Sequence, residues 1–120
     1  KYYNTKVFTP NSVNNLIQFL KSNDDNTKFM SRGHGCSFGD QAICSDKNTC
    51  TIDMSSLNKI VKLDKENKIL KVESGAKINQ ILKFLLPKNL TLNSIPGGLD
   101  ITVGGAISNN VHGKDCWKNG

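Results

Sequence analysis

Two stretches of the chain carry apolar residues at intervals of three or four, the spacing that places them on one face of a helix. In the first stretch these residues are Val13, Leu16, Ile17 and Leu20. In the second they are Ile78, Ile81, Leu82 and Leu85. The segment Pro10-Asn11-Ser12 supplies a stop and an N-cap before the first stretch, and Pro87 ends the second. We therefore predict one amphipathic helix from Val13 to about Lys21 and another that closes at Pro87.

Four shorter segments have the composition of strands, with β-branched and apolar residues between polar turns. They are Lys28 to Ser31, Thr49 to Asp53, Ile60 to Leu63 and Ile69 to Glu73. The last two flank the polar residues 64–67, which predicts a hairpin. The order of helix, strand, loop, three strands, helix and loop indicates an α+β sandwich rather than a doubly wound α/β sheet. From about Leu92 onwards the apolar pattern is too weak to close a domain, so we expect this loop to need structure outside the chain.

The composition is that of a globular chain. Its 120 residues are enough for one compact domain, and 37% of them are hydrophobic while 22% are charged. No run of about 18 apolar residues occurs, which excludes a transmembrane helix. The chain opens on Lys1 without a secretory leader. We therefore expect a cytoplasmic protein, and a sequence trimmed from a longer native chain.

The chain is basic, with a formal net charge of +6, yet the distribution of this charge does not favour nucleic acid as a partner. Of the 16 basic residues only Arg32 is an arginine, and no two basic residues are adjacent. Proteins that read phosphates or bases prefer the bidentate arginine side chain. A basic polyanion-binding protein is therefore the weaker alternative.

The cysteines predict no metal site. They are Cys36, Cys44, Cys50 and Cys116. They form no Cys-x-x-Cys pair, and only two histidines are available to join them. A Cys44–Cys50 bridge is the alternative for an oxidising compartment, but without a leader peptide free thiols are favoured.

Glycine is concentrated in two windows, residues 31–40 and 95–114, which hold all but two of the ten glycines. We call them the first and second glycine windows. Glycine lets the backbone approach a ligand closely, and consecutive backbone N–H groups form concave sites for phosphates. Tight turns are the simpler explanation for any single glycine, whereas two such windows predict a pair of loops that grip a diphosphate.

The first window is similar to the Rossmann dinucleotide fingerprint, but its context does not fit. Gly33, Gly35 and Gly39 follow a predicted strand, and Asp53 lies 20 residues beyond Gly33. The polar residues 41–48 predict no helix whose N-terminus would receive the pyrophosphate. A Walker loop is excluded as well, because the chain has no Gly-Lys-Ser/Thr sequence.

A series of motifs covers nearly the whole chain. They are Thr-Pro-Asn-Ser at residues 9–12, Arg-Gly-His-Gly-Cys-Ser-Phe-Gly-Asp at 32–40, Ile-Asp-Met-Ser-Ser-Leu-Asn-Lys-Ile at 52–60, Val-Glu-Ser-Gly-Ala at 72–76, Asp-Ile-Thr-Val-Gly-Gly-Ala-Ile at 100–107 and His-Gly-Lys at 112–114. In this order they resemble the PCMH-type FAD-binding domain of the vanillyl-alcohol oxidase and p-cresol methylhydroxylase superfamily. Within it they most resemble the decaprenylphosphoryl-ribose oxidases, followed by the sugar-lactone oxidases and dehydrogenases.

The resemblance implies a PCMH-type FAD-binding fold and a division of the chain. Residues from about 1 to 93 would form the first α+β subdomain. Residues from about 94 to 120 would supply the flavin and diphosphate loop and the start of the second subdomain. The substrate domain would lie outside this chain.

The resemblance also implies which residues hold FAD. The first window would bind the diphosphate through Arg32, Gly33, His34, Gly35, Cys36, Ser37 and Phe38. The second would touch the flavin and the diphosphate through Gly97, Gly98, Thr102, Gly104, Gly105 and Ala106. Asn109, His112, Gly113 and Lys114 would approach the isoalloxazine ring, where His112 or Lys114 would stabilise negative charge at its N1–C2 edge. The structural alternatives are an ion pair of Arg32 with Asp40 or Asp53, loop cover for His34, and a hydrogen-bonded position for His112.

Many relatives attach FAD covalently through a histidine directly before the motif serine, but here Cys36 holds that position. We therefore predict non-covalent FAD, with a cysteinyl link as the alternative.

The resemblance implies the FAD-binding part of an oxidoreductase that moves a hydride to flavin from a CH–OH group of a sugar, polyol or sugar-phosphate lipid. The catalytic base would lie outside this chain, so the fragment alone would be inactive, and the electron acceptor stays open. One alternative is a non-catalytic flavin- or nucleotide-binding module. Another is the fused NADPH-dependent enzyme that reduces an enolpyruvyl sugar nucleotide, which the His-Gly-Lys ending fits less well.

Overall fold

The computed structural model describes residues 6–114, and the prediction for Cys116 lies outside them. In chain order the strands are β1 (Lys6–Phe8), β2 (Lys28–Arg32), β3 (Thr49–Asp53), β4 (Ile60–Asp64) and β5 (Ile69–Val72). The helices are α1 (Val13–Ser22), α2 (Ile78–Leu85) and α3 (Val103–Ser108), with short 3-10 turns at Met54–Ser56 and Leu86–Lys88. The combination of a sheet, a hairpin and helices confirms the predicted α+β class.

The first three strands form a parallel sheet in the order β1-β3-β2. Strand β3 is central, and its first four residues are buried. Helix α1 connects β1 to β2, and its Phe19 ring packs on both strands, with centroids 3.6 Å from Phe8 and 5.9 Å from Phe29. The sequence analysis missed β1, because three residues are too few to show a period of two.

Helix α1 begins where the sequence predicts. Ser12 Oγ accepts a hydrogen bond from the Asn15 backbone N–H at 3.1 Å, so Ser12 is the N-cap. The hydroxyl of Ser56 donates to the carbonyl of Pro10, which ties the turn before the helix to the segment after β3.

The hydrophobic core lies between α2 and the β4–β5 hairpin. Ala76, Ile81 and Leu85 are almost fully buried. The partly buried residues packed against them are Leu63, Leu70, Val72, Phe84, Leu90, Leu92 and Val103. The predicted hairpin and second helix are confirmed, and Val103 attaches the second glycine window to the same core.

The sequence analysis was wrong about residues 103–108, which it treated as loop and which form α3. At the start of this helix, Thr102 Oγ1 accepts a hydrogen bond from a first-turn backbone N–H at 3.2 Å. At its end, Asn110 takes a left-handed backbone with φ of +47°, and the Val111 N–H donates to the Ala106 carbonyl at 2.9 Å, as in a Schellman motif. Two glycines give this segment a low helix propensity, so its caps and tertiary contacts stabilise it.

Candidate functional site

The two glycine windows line a single cleft of about 810 Å³. The lining residues include 31–38 of the first window and 96–102, 104–106, 108, 109 and 111 of the second, together with Met54 and Ser74. This volume is in the range of pockets that hold small molecules and cofactors. The fold therefore brings together two segments that lie far apart in the sequence.

The windows touch at Gly33 and Thr102. A Cβ atom on Gly33 would overlap Thr102 Oγ1 and would lie 3.2 Å from its Cγ2. Thr102 is only 4% exposed, and its Oγ1 holds the N-cap hydrogen bond of α3, so the side chain cannot easily move aside. The close approach of the two windows therefore requires glycine at position 33.

Helix α2 anchors the second window through its N-terminal backbone. The N–H groups of Ile78 and Asn79 have no partner within the helix, and they donate to the carbonyls of Ile101 at 3.1 Å and Leu99 at 2.9 Å. Asn79 Nδ2 also donates to Asp100 Oδ1 at 3.2 Å. The window thus caps α2, and α2 fixes the window in turn.

The start of α3 packs closely onto residues 74–76. The Val103 N–H donates to the Ala76 carbonyl, and the Gly104 N–H donates to the Ser74 carbonyl, both at 2.8 Å. A Cβ on Gly104 would lie 3.0 Å from Ser74 Cβ and 3.1 Å from the Ser74 carbonyl oxygen. Gly104 lines the cleft, but packing alone is enough to explain why it is glycine.

Gly97 and Gly98 differ from these packed glycines, because the space beside them is open. A Cβ on Gly97 would have no heavy atom within 4 Å, and one on Gly98 would meet only Ile101 Cγ2 at 3.9 Å. Neither residue has a positive φ. The packing of the protein therefore does not require glycine here, and the space beside both residues opens into the cleft.

The first window turns at Gly35, whose φ of +70° lies in the left-handed region that favours glycine. The Arg32 guanidinium lies over this glycine, 2.5 Å from where a Cβ would stand. In the described part of the chain Arg32 forms no ion pair, so its alternative pairing with Asp40 or Asp53 does not occur there. The exposed guanidinium borders the cleft and is available to an anion.

His34 is held by a residue that the sequence analysis did not select. Its Nε2 lies 3.2 Å from Nζ of Lys77, which directly precedes α2. The backbone of Lys77 also forms an isolated antiparallel bridge with Thr102. No local motif marks Lys77, because its side-chain contact spans 43 positions of the sequence.

The tip of the first window is open to solvent. Cys36 and Ser37 line the cleft, and Phe38 is 95% exposed. Cys36, Cys44 and Cys50 are free thiols, so the alternative Cys44–Cys50 bridge is not formed.

The end of the second window lies only partly in the cleft. Asn109 lines it, and the Asn109 Nδ2 donates to the Gly105 carbonyl at 2.9 Å. Gly113 forms an antiparallel bridge with Pro96, which returns the window to its start. His112, Gly113 and Lys114 are not part of the cleft lining, so the flavin-edge roles of His112 and Lys114 stay predictions.

The lining is mostly neutral, with Arg32 and Asp100 as its fully charged side chains. Among residues 6–114, no group of three or more His, Cys, Asp or Glu side chains is arranged to hold a metal ion. None of the helices in the same range is long and apolar enough to cross a membrane. The cleft therefore presents backbone groups, hydroxyls, the His34 imidazole, one guanidinium and one carboxylate.

Comparison with known proteins identifies relatives in sequence. A family profile described as FAD binding domain matches residues 5–120. The chain is 37% identical over 86 residues to decaprenylphosphoryl-β-D-ribose oxidase of Mycolicibacterium smegmatis. This alignment covers 72% of this chain and 18% of that protein. It is 31% identical over 106 residues to L-gulonolactone oxidase of Mus musculus. That alignment covers 88% of this chain and 23% of the mouse protein. The chain thus spans about a fifth of the length of these relatives.

Solved structures show the same fold. An alkyldihydroxyacetonephosphate synthase superposes with a TM-score of 0.78 at 19% identity, covering 93% of this chain and 22% of that one. A cholesterol oxidase from Brevibacterium sterolicum superposes with a TM-score of 0.73 at 20% identity, covering 89% of this chain and 21% of that one. The predicted PCMH-type fold is confirmed by these superpositions, and the predicted cofactor by the profile. This chain belongs to the FAD binding domain family.

Proposed function

We propose that this chain binds FAD in the cleft between the glycine windows and is the FAD-binding part of an oxidoreductase that acts on CH–OH groups. The observation that carries the proposal is the shared cleft, with the open glycines Gly97 and Gly98 in one window and Arg32 in the other. The relatives named as oxidases of a decaprenylphosphoryl ribose and of a gulonolactone support a sugar, a polyol or a sugar-phosphate lipid as substrate. The electron acceptor is left open.

The chemistry of the cleft fits a dinucleotide with a diphosphate. Backbone N–H groups and the Ser37 hydroxyl are donors suited to phosphate oxygens, and Arg32 adds positive charge that no described carboxylate neutralises. The open sides of Gly97 and Gly98 admit a flat ring system close to the backbone. We assign the cofactor contacts to Arg32, Gly33, His34, Gly35, Cys36, Ser37, Phe38, Gly97, Gly98, Thr102, Gly104, Gly105, Ala106 and Asn109.

When bound, the flavin supplies the acceptor for a hydride from the alcohol carbon of the substrate. The residues of this chain bind and orient the cofactor and exclude water from one of its sides. We propose that His112 or Lys114 donates a hydrogen bond where negative charge develops at the flavin edge. The group that removes the alcohol proton would come from a substrate domain outside this chain.

We propose that residues from about 1 to 93 form one subdomain and that residues from about 94 to 120 begin another. The hydrogen bonds from α2 to Leu99 and Ile101 attach the second window to the first subdomain. In this proposal the window is the connection through which the chain passes into the second subdomain. Limited proteolysis of the full-length protein tests this boundary. We expect the protease to cleave first near Ser94, between the two subdomains.

We propose that FAD is held without a covalent bond. The position directly before Ser37 is Cys36, and His34 already directs its Nε2 to Lys77. The free thiols of Cys36, Cys44 and Cys50 support a reducing, cytoplasmic location. Acid precipitation of the yellow protein should release all of its flavin into the supernatant. A coloured pellet that becomes colourless in Cys36→Ser would establish the cysteinyl link instead.

The visible absorption spectrum of the full-length protein, expressed from its native gene, tests the proposed function. We expect the two bands of oxidised flavin, release of FAD on denaturation, and anaerobic bleaching by a sugar or polyol substrate. Gly97→Leu should weaken FAD binding without destabilising the apoprotein, because the added side chain enters open space. Lys62→Leu on the exposed hairpin is the matched control. A colourless protein that takes up no added FAD would overturn the proposal, and bound FAD that no CH–OH substrate bleaches would indicate a non-catalytic module.

A further inference from the structure

Lys77 is the point at which the two glycine windows and α2 meet. Its Nζ lies 3.2 Å from His34 Nε2 in the first window, and its backbone bridges Thr102 in the second. It occupies the N-cap position of α2, where its ammonium group has no acceptor with which to cap the helix, and the side chain extends to the first window. Since Thr102 also packs against Gly33, the two ends of this connection lie next to each other in the fold.

A hydrogen bond across this contact would require one particular tautomer of His34. A protonated lysine amine has three donors and no acceptor, so His34 Nε2 must accept the hydrogen bond. The ring proton of neutral His34 then lies on Nδ1. His34 lines the cleft, so the Lys77 amine, which is not itself part of the lining, contacts one of the lining side chains.

No acidic group competes for Lys77 in the described part of the chain. Its amine forms no ion pair there. The nearest acidic residue before it in the sequence, Glu73, accepts a hydrogen bond from the Lys59 backbone N–H at 2.8 Å. The other lysine of this helix region is Lys83, which is exposed and lies in the last turn of α2. Lys77, the N-cap residue of α2, is therefore a lysine whose amine contacts a cleft-lining side chain without an ion-pair partner in the described part of the chain.

We infer that Lys77 is a positioning residue for the cofactor: it holds His34 as the Nδ1–H tautomer and keeps the first glycine window closed on the second. This inference rests on the proposed binding of FAD in the cleft. An untethered first window would have to be ordered at the time of binding, and that ordering lowers affinity. Lys77 lies outside the motifs that carry the family resemblance, so the inference rests on its contacts in the structure alone.

The test compares four single variants of the full-length protein: Lys77→Met, Lys77→Arg, His34→Gln and Lys83→Met. The apoprotein is titrated with FAD and followed by flavin fluorescence. Losing one exposed, charge-assisted hydrogen bond should raise the Kd for FAD about three- to tenfold in Lys77→Met. Lys77→Arg retains a donor and should largely preserve affinity. Lys83→Met removes the same charge from the same helix and should leave the Kd unchanged.

Two further measurements separate positioning from a general effect of charge or stability. The double variant Lys77→Met/His34→Gln should bind FAD no more weakly than the weaker single variant, because both changes break one contact. In ¹⁵N-histidine-labelled protein the His34 ring should give the Nδ1–H signature, and Lys77→Met should convert it to a tautomer mixture.

Additive losses in the double variant, an equal loss in Lys83→Met, or an unchanged His34 signature in Lys77→Met would each overturn the inference. A wild-type protein that binds no FAD would overturn the proposed function, while the histidine spectrum still reports on the Lys77–His34 contact. The two failures are thus distinguishable.

Discussion

Replacing Gly33 with alanine would place a methyl group where Thr102 Oγ1 now lies. Thr102 cannot yield easily, because it is buried and its hydroxyl caps α3. The backbone of the first window would therefore have to move away from the second. We expect Gly33→Ala to loosen the contact that forms the base of the cleft.

The magnitude follows from the packing. Overpacking of this kind costs about 1–3 kcal/mol, which corresponds to a roughly 5- to 150-fold rise in local opening. Thr102→Ala removes the obstructing atoms but also the N-cap, at a cost of about 0.5–2 kcal/mol. In the double variant the closest of the remaining Thr102 side-chain atoms is its Cβ, at 3.3 Å, so most of the clash is relieved and the cost of the lost cap remains. The coupling between the two substitutions should therefore be about 1–3 kcal/mol in favour of the double variant.

Hydrogen–deuterium exchange of the full-length apoprotein measures this directly, since it reads local opening peptide by peptide. Peptides from residues 28–39 and 100–112 should exchange faster in Gly33→Ala than in wild type. The 28–39 peptide, which lies away from the lost cap of α3, should exchange faster in Gly33→Ala alone than in Gly33→Ala/Thr102→Ala. Gly97→Ala is the control, because its Cβ has open space. Equal exchange in wild type and Gly33→Ala, or strictly additive effects in the double variant, would refute the steric reasoning.

Three further predictions concern stability. Ile81→Ala should lower the free energy of unfolding by about 2–5 kcal/mol, because Ile81 is 2% exposed in the core. Ile69→Ala, on the exposed side of β5, should lower it by less than about 1 kcal/mol. Thermal unfolding compares the two variants, and similar losses of stability would contradict this account of the core. Asn89→Ala should lower the free energy of unfolding by about 1–2 kcal/mol, because Asn89 has a left-handed φ of +57°. Asn89→Gly should retain stability in the same assay. Equal melting temperatures for these two variants would argue against backbone strain as the cause. The side-chain and backbone hydrogen bonds from Asn67 hold the pKa of the Asp64 carboxyl below its ordinary value, so their stabilising effect is full above an unfolded-state pKa of about 3.9 and is lost as the pH falls through the lowered pKa. Urea midpoints of wild type and Asp64→Asn should therefore differ at neutral pH and converge in acid, and a constant difference would count against this linkage.

The elements that local sequence determines were predictable. Helix α1 has its apolar face and its N-cap within ten residues, and the hairpin has its turn between its own strands. Strand β1 and helix α3 were not predictable, because both depend on distant partners. The register of β1 pairs Lys6 with Cys50, and the first turn of α3 donates to the carbonyls of residues 74 and 76.

The candidate site was predictable as two glycine-rich segments, but the separate roles of the glycines were not. Composition cannot distinguish Gly33 and Gly104, which are glycine because other protein atoms approach them, from Gly97, which stands beside open space. The contact of Lys77 with His34 left no trace in the sequence, since scattered lysines are a general feature of this chain.

The central position of β3 has a consequence for synthesis of the protein. Strands β1 and β2 both pair with β3 and not with each other, yet both leave the ribosome before it. Until Thr49–Asp53 has emerged, neither strand has its partner, and the Phe8–Phe19–Phe29 cluster has no complete sheet beneath it. Pairing of parallel strands that lie far apart in the sequence is slow, because the chain loses the entropy of loop closure before the strand contacts can stabilise it. The nascent chain therefore passes through a stage with open strand edges and exposed aromatic rings, and that stage is when chaperone binding would protect it most.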